Sequence, residues 1–146
     1  MKIGEKGLQI IKDSEGLALK VYKCPAGKLT VGYGHTGVDV LPGMSINETA
    51  ATVYLRMDVK TAEDAVSKFV KVPVNQNQFD ALVSFTFNCG AGRLQKSNLL
   101  KLINENKFDE AAEEFLKYNH AAGKELPGLT IRRQKEKELF LTKVEM

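Results

Sequence analysis

Residues 15–35, with the sequence EGLALKVYKCPAGKLTVGYGH, decide the fold expected for this chain. A turn-forming segment, Pro-Ala-Gly-Lys at 25–28, separates two groups of strand formers: Val21 and Tyr22 before it, and Leu29, Val31 and Tyr33 after it. Such an arrangement predicts a β-hairpin over residues 18–35.

Helices are predicted on both sides of this hairpin. A short helix over 4–14 precedes it and ends at Gly16. A long helix over 45–70 follows, with Ser45 and Glu48 as a capping box and apolar residues at helical spacing. Asn75 with Gln78 caps the next helix, Gly90 ends it, and further helices are predicted over 97–105, 108–118 and 130–143. The fold class expected is α+β, with a small hairpin lobe and a helical lobe joined by the long helix.

The composition is that of a globular protein of one domain. The chain has 146 residues, of which 43% are apolar and 27% charged, so its core forms without disulfide or metal. Its 21 basic and 18 acidic residues give a net charge of +3, too small to indicate nucleic-acid binding by itself. Cys24 and Cys89 form no Cys-x-x-Cys pair, which is typical of reduced thiols in a cytosolic chain. No apolar run approaches the roughly 20 residues of a membrane span, and the charged N-terminus is unlike a secretory signal.

Two kinds of ligand site are excluded by their context. Gly32–Gly37 matches the dinucleotide-binding pattern G-x-G-x-x-G, but that site needs a helix directly after it, and a loop is predicted there. The chain has two histidines, His35 and His120, and neither has a second ligand at the spacing of a zinc site. We therefore expect no metal and no cofactor.

Glu15 is the strongest candidate for a reactive group. It lies where the first helix ends and the chain turns into the hairpin, and a partly shielded carboxyl at such a corner suits a general acid. Eight residues separate Glu15 from Cys24, and five separate Cys24 from Thr30. This pattern resembles the active site of the phage-type lysozymes, the endolysins of glycoside hydrolase family 24, in which Glu, then Asp or Cys, then Thr follow at these intervals.

The resemblance extends along the chain. Residues 75–82, NQNQFDAL, and 87–90, FNCG, are similar to the central helix of the family and its glycine stop, and residues 128–133, GLTIRR, to its C-terminal signature. The resemblance implies one lysozyme-like catalytic domain over 1–146, with a hairpin lobe about 16–45, a helical lobe about 70–146 and a cleft between them. It also implies hydrolysis of the β-1,4 bond between N-acetylmuramic acid and N-acetylglucosamine in bacterial peptidoglycan, which lyses the host cell.

The resemblance gives each of the three residues a role. Glu15 would protonate the departing oxygen, and Thr30 would hold a water molecule or a reacting oxygen. Residue 24 would activate that water or oppose the positive charge of the transition state. Many family members have Asp at this position, whereas the thiol of a cysteine is mostly neutral at pH 7. The form in which Cys24 acts and the stereochemical course stay open, and a buried structural thiol is the alternative.

Further residues are candidates for substrate binding or for tuning the acid. Tyr33, Phe87 and Asn98 would offer the glycan a stacking ring or an amide, although Phe87 also suits the core. His35 is a fourth candidate contact, for which a structural pairing is favoured.

The family also has an arginine near its catalytic glutamate, and Arg132 or Arg133 would fill that place and tune the acid. The basic run 132–135 that contains them is interleaved with acidic residues further along the helix. Apart from that one arginine, a solvated helix face is predicted for this run.

Two other functions remain open from the sequence. A lytic transglycosylase breaks the same bond with one glutamate and no water. Because Cys24 stands where many family members have Asp, this activity stays an alternative. A non-catalytic module that binds the wall or nucleic acid has no need of Glu15 and Thr30 at their spacing. We expect a monomer that binds the glycan strand, without nucleic acid or stable membrane association. It would accumulate in the host cytoplasm and reach the periplasm and cell wall through a holin lesion.

Overall fold

The computed structural model describes residues 1–121 and 123–144, and it confirms the α+β class. The helices are α1 (Glu5–Glu15), α2 (Glu48–Asp58), α3 (Lys60–Phe69), α4 (Gln76–Cys89), α5 (Ala91–Lys96), α6 (Asn98–Asn104), α7 (Phe108–Glu114) and α8 (Pro127–Leu141). The strands are β1 (Ala18–Lys23), β2 (Leu29–Gly32), β3 (His35–Thr36), β4 (His120–Ala121) and β5 (Lys124–Glu125). Within the described residues no helix is both long and apolar enough to cross a membrane.

The chain divides into two compact units. The first, called the small unit below, is Ile11–Lys60, and the second, called the helical unit, is Met1–Ile10 together with Thr61–Met146. The small unit contains the three-stranded sheet β1-β2-β3, and the helical unit contains α4 to α8 and the two-stranded sheet β4-β5.

The predicted hairpin is confirmed, and it carries a third strand. β1 and β2 pair antiparallel with Tyr22 opposite Thr30, and β2 pairs antiparallel with β3. Gly27 closes the turn between β1 and β2 with φ of +81°, a backbone conformation that favours glycine. β3 has only two residues, and a stretch this short shows no alternation of apolar and polar residues from which to predict a strand.

The long helix predicted over 45–70 is wrong in two respects. It is divided into α2 and α3 at Val59, where the backbone stays in the right-handed region with φ of −74° and ψ of −12°. Because the helical spacing of apolar residues continues through buried Val59, the sequence pattern could not predict a break between two helices there. The capping box of Ser45 with Glu48 does not form either. Ser45 instead forms an isolated antiparallel β-bridge with Lys20 of β1. The helix α2 begins later and is capped by the side chain of Asn47.

The helical unit is organised around α4, which packs against α8. The predicted cap of α4 is confirmed, because the Asn75 side chain accepts from the Gln78 N–H and the Gln78 side chain accepts from the Asn75 N–H. Gly90 ends the helix, as predicted. Phe85, Phe115 and Phe140 form an aromatic cluster between these elements, with ring centroids 5.7 Å and 5.4 Å apart in successive pairs.

The solvated face predicted for the basic run of α8, with one arginine excepted, is wrong for the other arginine as well. Arg132 and Arg133 are 3% and 0% exposed, and Glu136 is 0% exposed. Nε of Arg132 lies 3.3 Å from one Glu136 carboxylate oxygen, and Nε of Arg133 lies 2.9 Å from the other. Ser84 of α4 donates a further hydrogen bond to this carboxylate, at 2.6 Å. Burial is tolerated because the opposite charges on one face of α8 are paired and Oε2 of Glu136 accepts several hydrogen bonds, whereas Oε1 of Glu136 and Nε of Arg133 form none.

Candidate active site

Glu15 is exposed at the last position of α1. The helix ends there because Gly16 adopts φ of +74°, and its N–H donates to the Lys12 carbonyl at 3.0 Å. The carboxylate of Glu15 lies against the turn between β2 and β3. A Cβ atom on Gly34 would be only 3.2 Å from Glu15 Oε2, so the carboxylate approaches the backbone at a place where any side chain would crowd it.

Cys24 and Thr30 are brought together by the turn between β1 and β2. The Cys24 N–H donates to the Lys28 carbonyl at 2.9 Å, and the hydroxyl of Thr30, which is 3% exposed, also donates to that carbonyl at 3.1 Å. Hydrogen bonds to the sulfur from the backbone of Lys28 and of Ala26 outweigh the opposing effect of burial and lower the pKa of the Cys24 thiol below its ordinary value. The turn therefore makes the half-buried thiol of Cys24 more acidic than an ordinary thiol.

The small unit thus presents an accessible carboxyl, a thiol with a lowered pKa and a threonine hydroxyl on one α1–sheet framework. A carboxyl and a second ionisable group are the minimal set for acid-assisted cleavage of a glycosidic bond. Among the described residues no group of three His, Cys, Asp or Glu side chains is placed to hold a metal ion.

His35 is buried and fully engaged in the small unit. Its Nδ1 lies 2.8 Å from an Asp58 carboxylate oxygen, its Nε2 lies 3.0 Å from an Asp39 oxygen, and its ring stacks on Tyr54 at 4.1 Å. These contacts agree with the structural pairing favoured from the sequence. Tyr33 is 6% exposed with the Lys12 ammonium over its ring, so little of that ring is available to a sugar. Their roles as substrate contacts stay predictions.

Phe87 and Asn98 belong to the helical unit. Phe87 is half-buried on α4, and Asn98 is exposed at the start of α6 with its amide donating to Glu114 at 2.6 Å. Burial raises the pKa of the Glu114 carboxyl, but Lys117 and Asn98 outweigh it, so the net pKa is lowered. The Asn98 amide is therefore held in position by a carboxylate, and its contact with glycan stays a prediction.

The two arginines predicted to tune the acid both contact groups of the helical unit. Besides Glu136, Arg133 contacts the Cys89 sulfur at 2.9 Å and donates to the Asn88 side chain at 2.8 Å. Arg132 donates to the Ser84 carbonyl at 3.1 Å. Proximity of either arginine to Glu15 stays a prediction.

A pocket of about 650 Å³ opens in the helical unit and was not predicted. It combines polar groups with an apolar side, a composition suited to an organic ligand with both characters. Its lining comes from α4, α5, α8 and the β4–β5 region, and comprises Asn88, Cys89, Arg93, Tyr118, His120, Ala121, Gly123, Leu126 and Leu129. These residues are distant in sequence and share no spacing, so no local pattern could have grouped them. Gly34 was also missed, although its place in the Gly-Tyr-Gly turn was a usable signal.

Comparison with known proteins gives a consistent result. A family model described as phage lysozyme matches residues 12–136. An endolysin of Bacillus phage B103 is 49% identical over 144 residues, which is 97% of this chain. The chain spans 55% of the length of that endolysin, and the same share of an endolysin from Bacillus phage PZA.

Two solved structures match this chain over nearly the whole length of both proteins. The muramidase domain of SpmX from Asticaccaulis excentricus is 38% identical, with a TM-score of 0.89, and the match covers 97% of this chain and 99% of that one. A mutant of P22 lysozyme is 37% identical, with a TM-score of 0.91 and the same coverage of both chains.

Proposed function

Because the chain belongs to the phage lysozyme family, we propose that it is an endolysin, a glycoside hydrolase of the lysozyme type. Its substrate is the β-1,4 bond between N-acetylmuramic acid and N-acetylglucosamine in peptidoglycan. Two observations within the small unit support the proposal: the Glu15 carboxylate lies beside Gly34, and the Cys24 thiol, in the turn that leads to Thr30, has a lowered pKa. A wall-binding module would not need a thiol of lowered pKa beside a buried hydroxyl.

In the proposed reaction Glu15 gives its proton to the glycosidic oxygen as the bond to the anomeric carbon breaks. A water molecule held by the Thr30 hydroxyl forms the new bond to that carbon, and the proton it loses passes to the Cys24 thiolate. The hydrogen bonds that lower the pKa of Cys24 support this role, because a thiolate accepts a proton and a neutral thiol does not. The negative sulfur also opposes the positive charge on the sugar ring in the transition state.

We further propose that residues of the helical unit bind glycan. Phe87 and Asn98 would contact sugar rings, and the pocket beside Asn88 offers the amide, hydroxyl and guanidinium groups that bind carbohydrate hydroxyls and carboxylates. The whole chain, 1–146, would act as one catalytic domain.

The route to the wall is also part of the proposal. We propose that the protein acts as a monomer and reaches the wall through a membrane lesion made by a holin. Expression of the chain alone, with and without chloroform permeabilisation, tests this route. Lysis is expected only after permeabilisation, and prompt lysis without it would contradict the holin route while leaving the enzymatic proposal intact.

Glu15→Gln is the test of the enzymatic proposal. The amide keeps the size of the side chain but has no transferable proton, so we expect release of reducing ends from purified peptidoglycan to fall about 10²–10⁴-fold. Thermal unfolding should be unchanged, because Glu15 is exposed. Wild-type turnover by a normally folded Glu15→Gln variant would contradict the assignment.

A further inference from the structure

His35 is held by two carboxylates from different parts of the small unit. Asp58 comes from the end of α2, and Asp39 comes from the loop that follows β3. Tyr54, one turn before Asp58 on α2, stacks on the ring with an angle of 12° between the planes. The imidazole therefore joins β3, the following loop and α2 at one buried point.

The position of His35 in the sheet connects this point to the reactive groups. His35 pairs with Val31 across β2–β3, and the adjacent register pair joins Thr30 to Thr36. On the other side His35 directly follows Gly34, whose backbone lies against the Glu15 carboxylate. One neighbour of His35, Gly34, thus leaves no room for a side chain beside the proposed acid, and the other, Thr36, pairs with Thr30.

We propose that His35 is a positioning residue, whose doubly paired imidazolium holds the Gly34 turn and β3 in the geometry that catalysis requires. The inference rests on the proposed function, since it concerns the same site. It gives His35 no contact with substrate. Instead, the ring acts through the backbone of Gly34 and through the pairing of β3 with β2.

The protonation state decides whether both pairings can exist. The imidazolium donates from both nitrogens, whereas the neutral ring has one N–H and leaves a carboxylate facing a lone pair. Burial lowers the pKa of His35, but hydrogen bonds and charges from Asp58 and Asp39 outweigh it, so the net pKa lies above the ordinary value of 6.5. Since the folded-state pKa is raised, the pairing is complete below about pH 6.5 and is lost as the pH rises through the raised value.

The imidazole of His35 is surrounded by groups from three elements of the small unit. From α2 it faces Asp58 and Tyr54, from the loop after β3 it faces Asp39, and its register partner on β2, Val31, does not titrate. Asp39 is about half exposed, at 48% of its side chain, so it can be changed with little risk to folding. Asp39→Asn keeps an acceptor for the imidazolium but removes one of the two charges that hold the proton.

The experiment compares kcat/KM on purified peptidoglycan from pH 5 to 9 for wild type, Asp39→Asn and Glu48→Gln. Glu48→Gln is the matched control, since it removes one negative charge from an exposed residue of the same unit without touching His35. For Asp39→Asn we expect activity within about twofold of wild type at pH 6. Its alkaline loss should come about half to one pH unit earlier, or about three- to tenfold lower activity at a pH on that limb. Glu48→Gln should follow wild type.

A coincident profile for Asp39→Asn and wild type would overturn the inference. An equal shift in Glu48→Gln would also overturn it, because the effect would then be one of long-range charge. In parallel, an NMR titration should show the Gly34 amide shift following the imidazole of His35. A Gly34 amide shift that does not change as His35 titrates would overturn the inference. This result is independent of activity, so it can be distinguished from a failure of the proposed function, in which no variant cleaves peptidoglycan.

Discussion

The small unit and the helical unit use charged side chains in opposite ways. In the small unit Glu15 is exposed and lies beside the backbone of Gly34, and the sulfur of Cys24 accepts hydrogen bonds from backbone N–H groups of a tight turn. In the helical unit the carboxylate of Glu136 is completely buried between two arginines. The contrast separates two demands. A reactive group needs access to substrate and support from the backbone, whereas a buried charge needs partners and contributes to structural integrity.

This difference predicts which property each region loses on substitution. Changes at the turns of the small unit should lower turnover more than stability, because few buried contacts depend on the reactive side chains. Changes in the arginine–glutamate cluster should lower stability first, because an unpaired buried charge is expensive.

The largest effect on stability is expected for Arg133→Met. Methionine fills part of the volume but leaves Glu136 with one arginine fewer, so we expect the free energy of unfolding to fall by about 3–5 kcal/mol. Denaturant unfolding measures this, with Lys101→Met, an exposed cation on α6, as the control that should change little. A loss of less than about 1 kcal/mol would show that the buried cluster is no more critical than a surface pair.

Substitution of Cys24 should affect turnover without this cost in stability. Cys24→Asp supplies an ionised group at neutral pH and should stay within about threefold of wild type, whereas Cys24→Ser has almost no anionic form and should lose about 10²-fold. Alkylation of wild-type Cys24 should begin at a lower pH than for an ordinary thiol, since its pKa is lowered. Cys89→Ser removes the background reaction of the second thiol.

Full activity in both Cys24 variants would show a packing role and would weaken the contrast between the units. A dead Cys24→Asp beside a fully active Cys24→Ser would refute a role for negative charge at this position.

The smallest effect is expected for Gly34→Ala, and a matched control isolates it. Gly34 has φ of +83° and Gly43 has φ of +77°, so alanine at either position carries similar backbone strain, about 1–2 kcal/mol. Only at Gly34 would the new methyl meet Glu15 Oε2, at 3.2 Å, whereas nothing lies within 4 Å at Gly43. Thermal unfolding should fall similarly in both, and kcat should drop about tenfold in Gly34→Ala alone. Equal activity in the two variants would contradict the positional role of Gly34.

What could be predicted from the sequence depended on how local its cause was. The hairpin, the end of α1 at Gly16 and the cap formed by Asn75 and Gln78 are fixed by residues within a few positions of one another. The candidate reactive residues, Glu15, Cys24 and Thr30, could be proposed because they fall within 16 positions and their spacing resembles a known family pattern.

The features that were missed have distant causes. Burial of Arg133 depends on α4, 44 positions away at Cys89, and the alternating charges of α8 look the same on a solvated helix. The second partner of His35, Asp58, is 23 positions away. The start of α2 was misplaced because pairing of Ser45 with Lys20 beside β1 keeps the preceding residues extended, a tertiary effect that overrides local capping preference.

The most direct test of the central claim is mass spectrometry of the fragments that the protein releases from purified peptidoglycan, with and without borohydride reduction. Hydrolysis assisted by Glu15 with water as the second reactant predicts fragments ending in reducible N-acetylmuramic acid. Fragments ending in 1,6-anhydro-N-acetylmuramic acid, lighter by one water and resistant to reduction, would show a lytic transglycosylase and contradict the role given to Cys24 and Thr30. A reducible N-acetylglucosamine end would contradict the assignment of the bond.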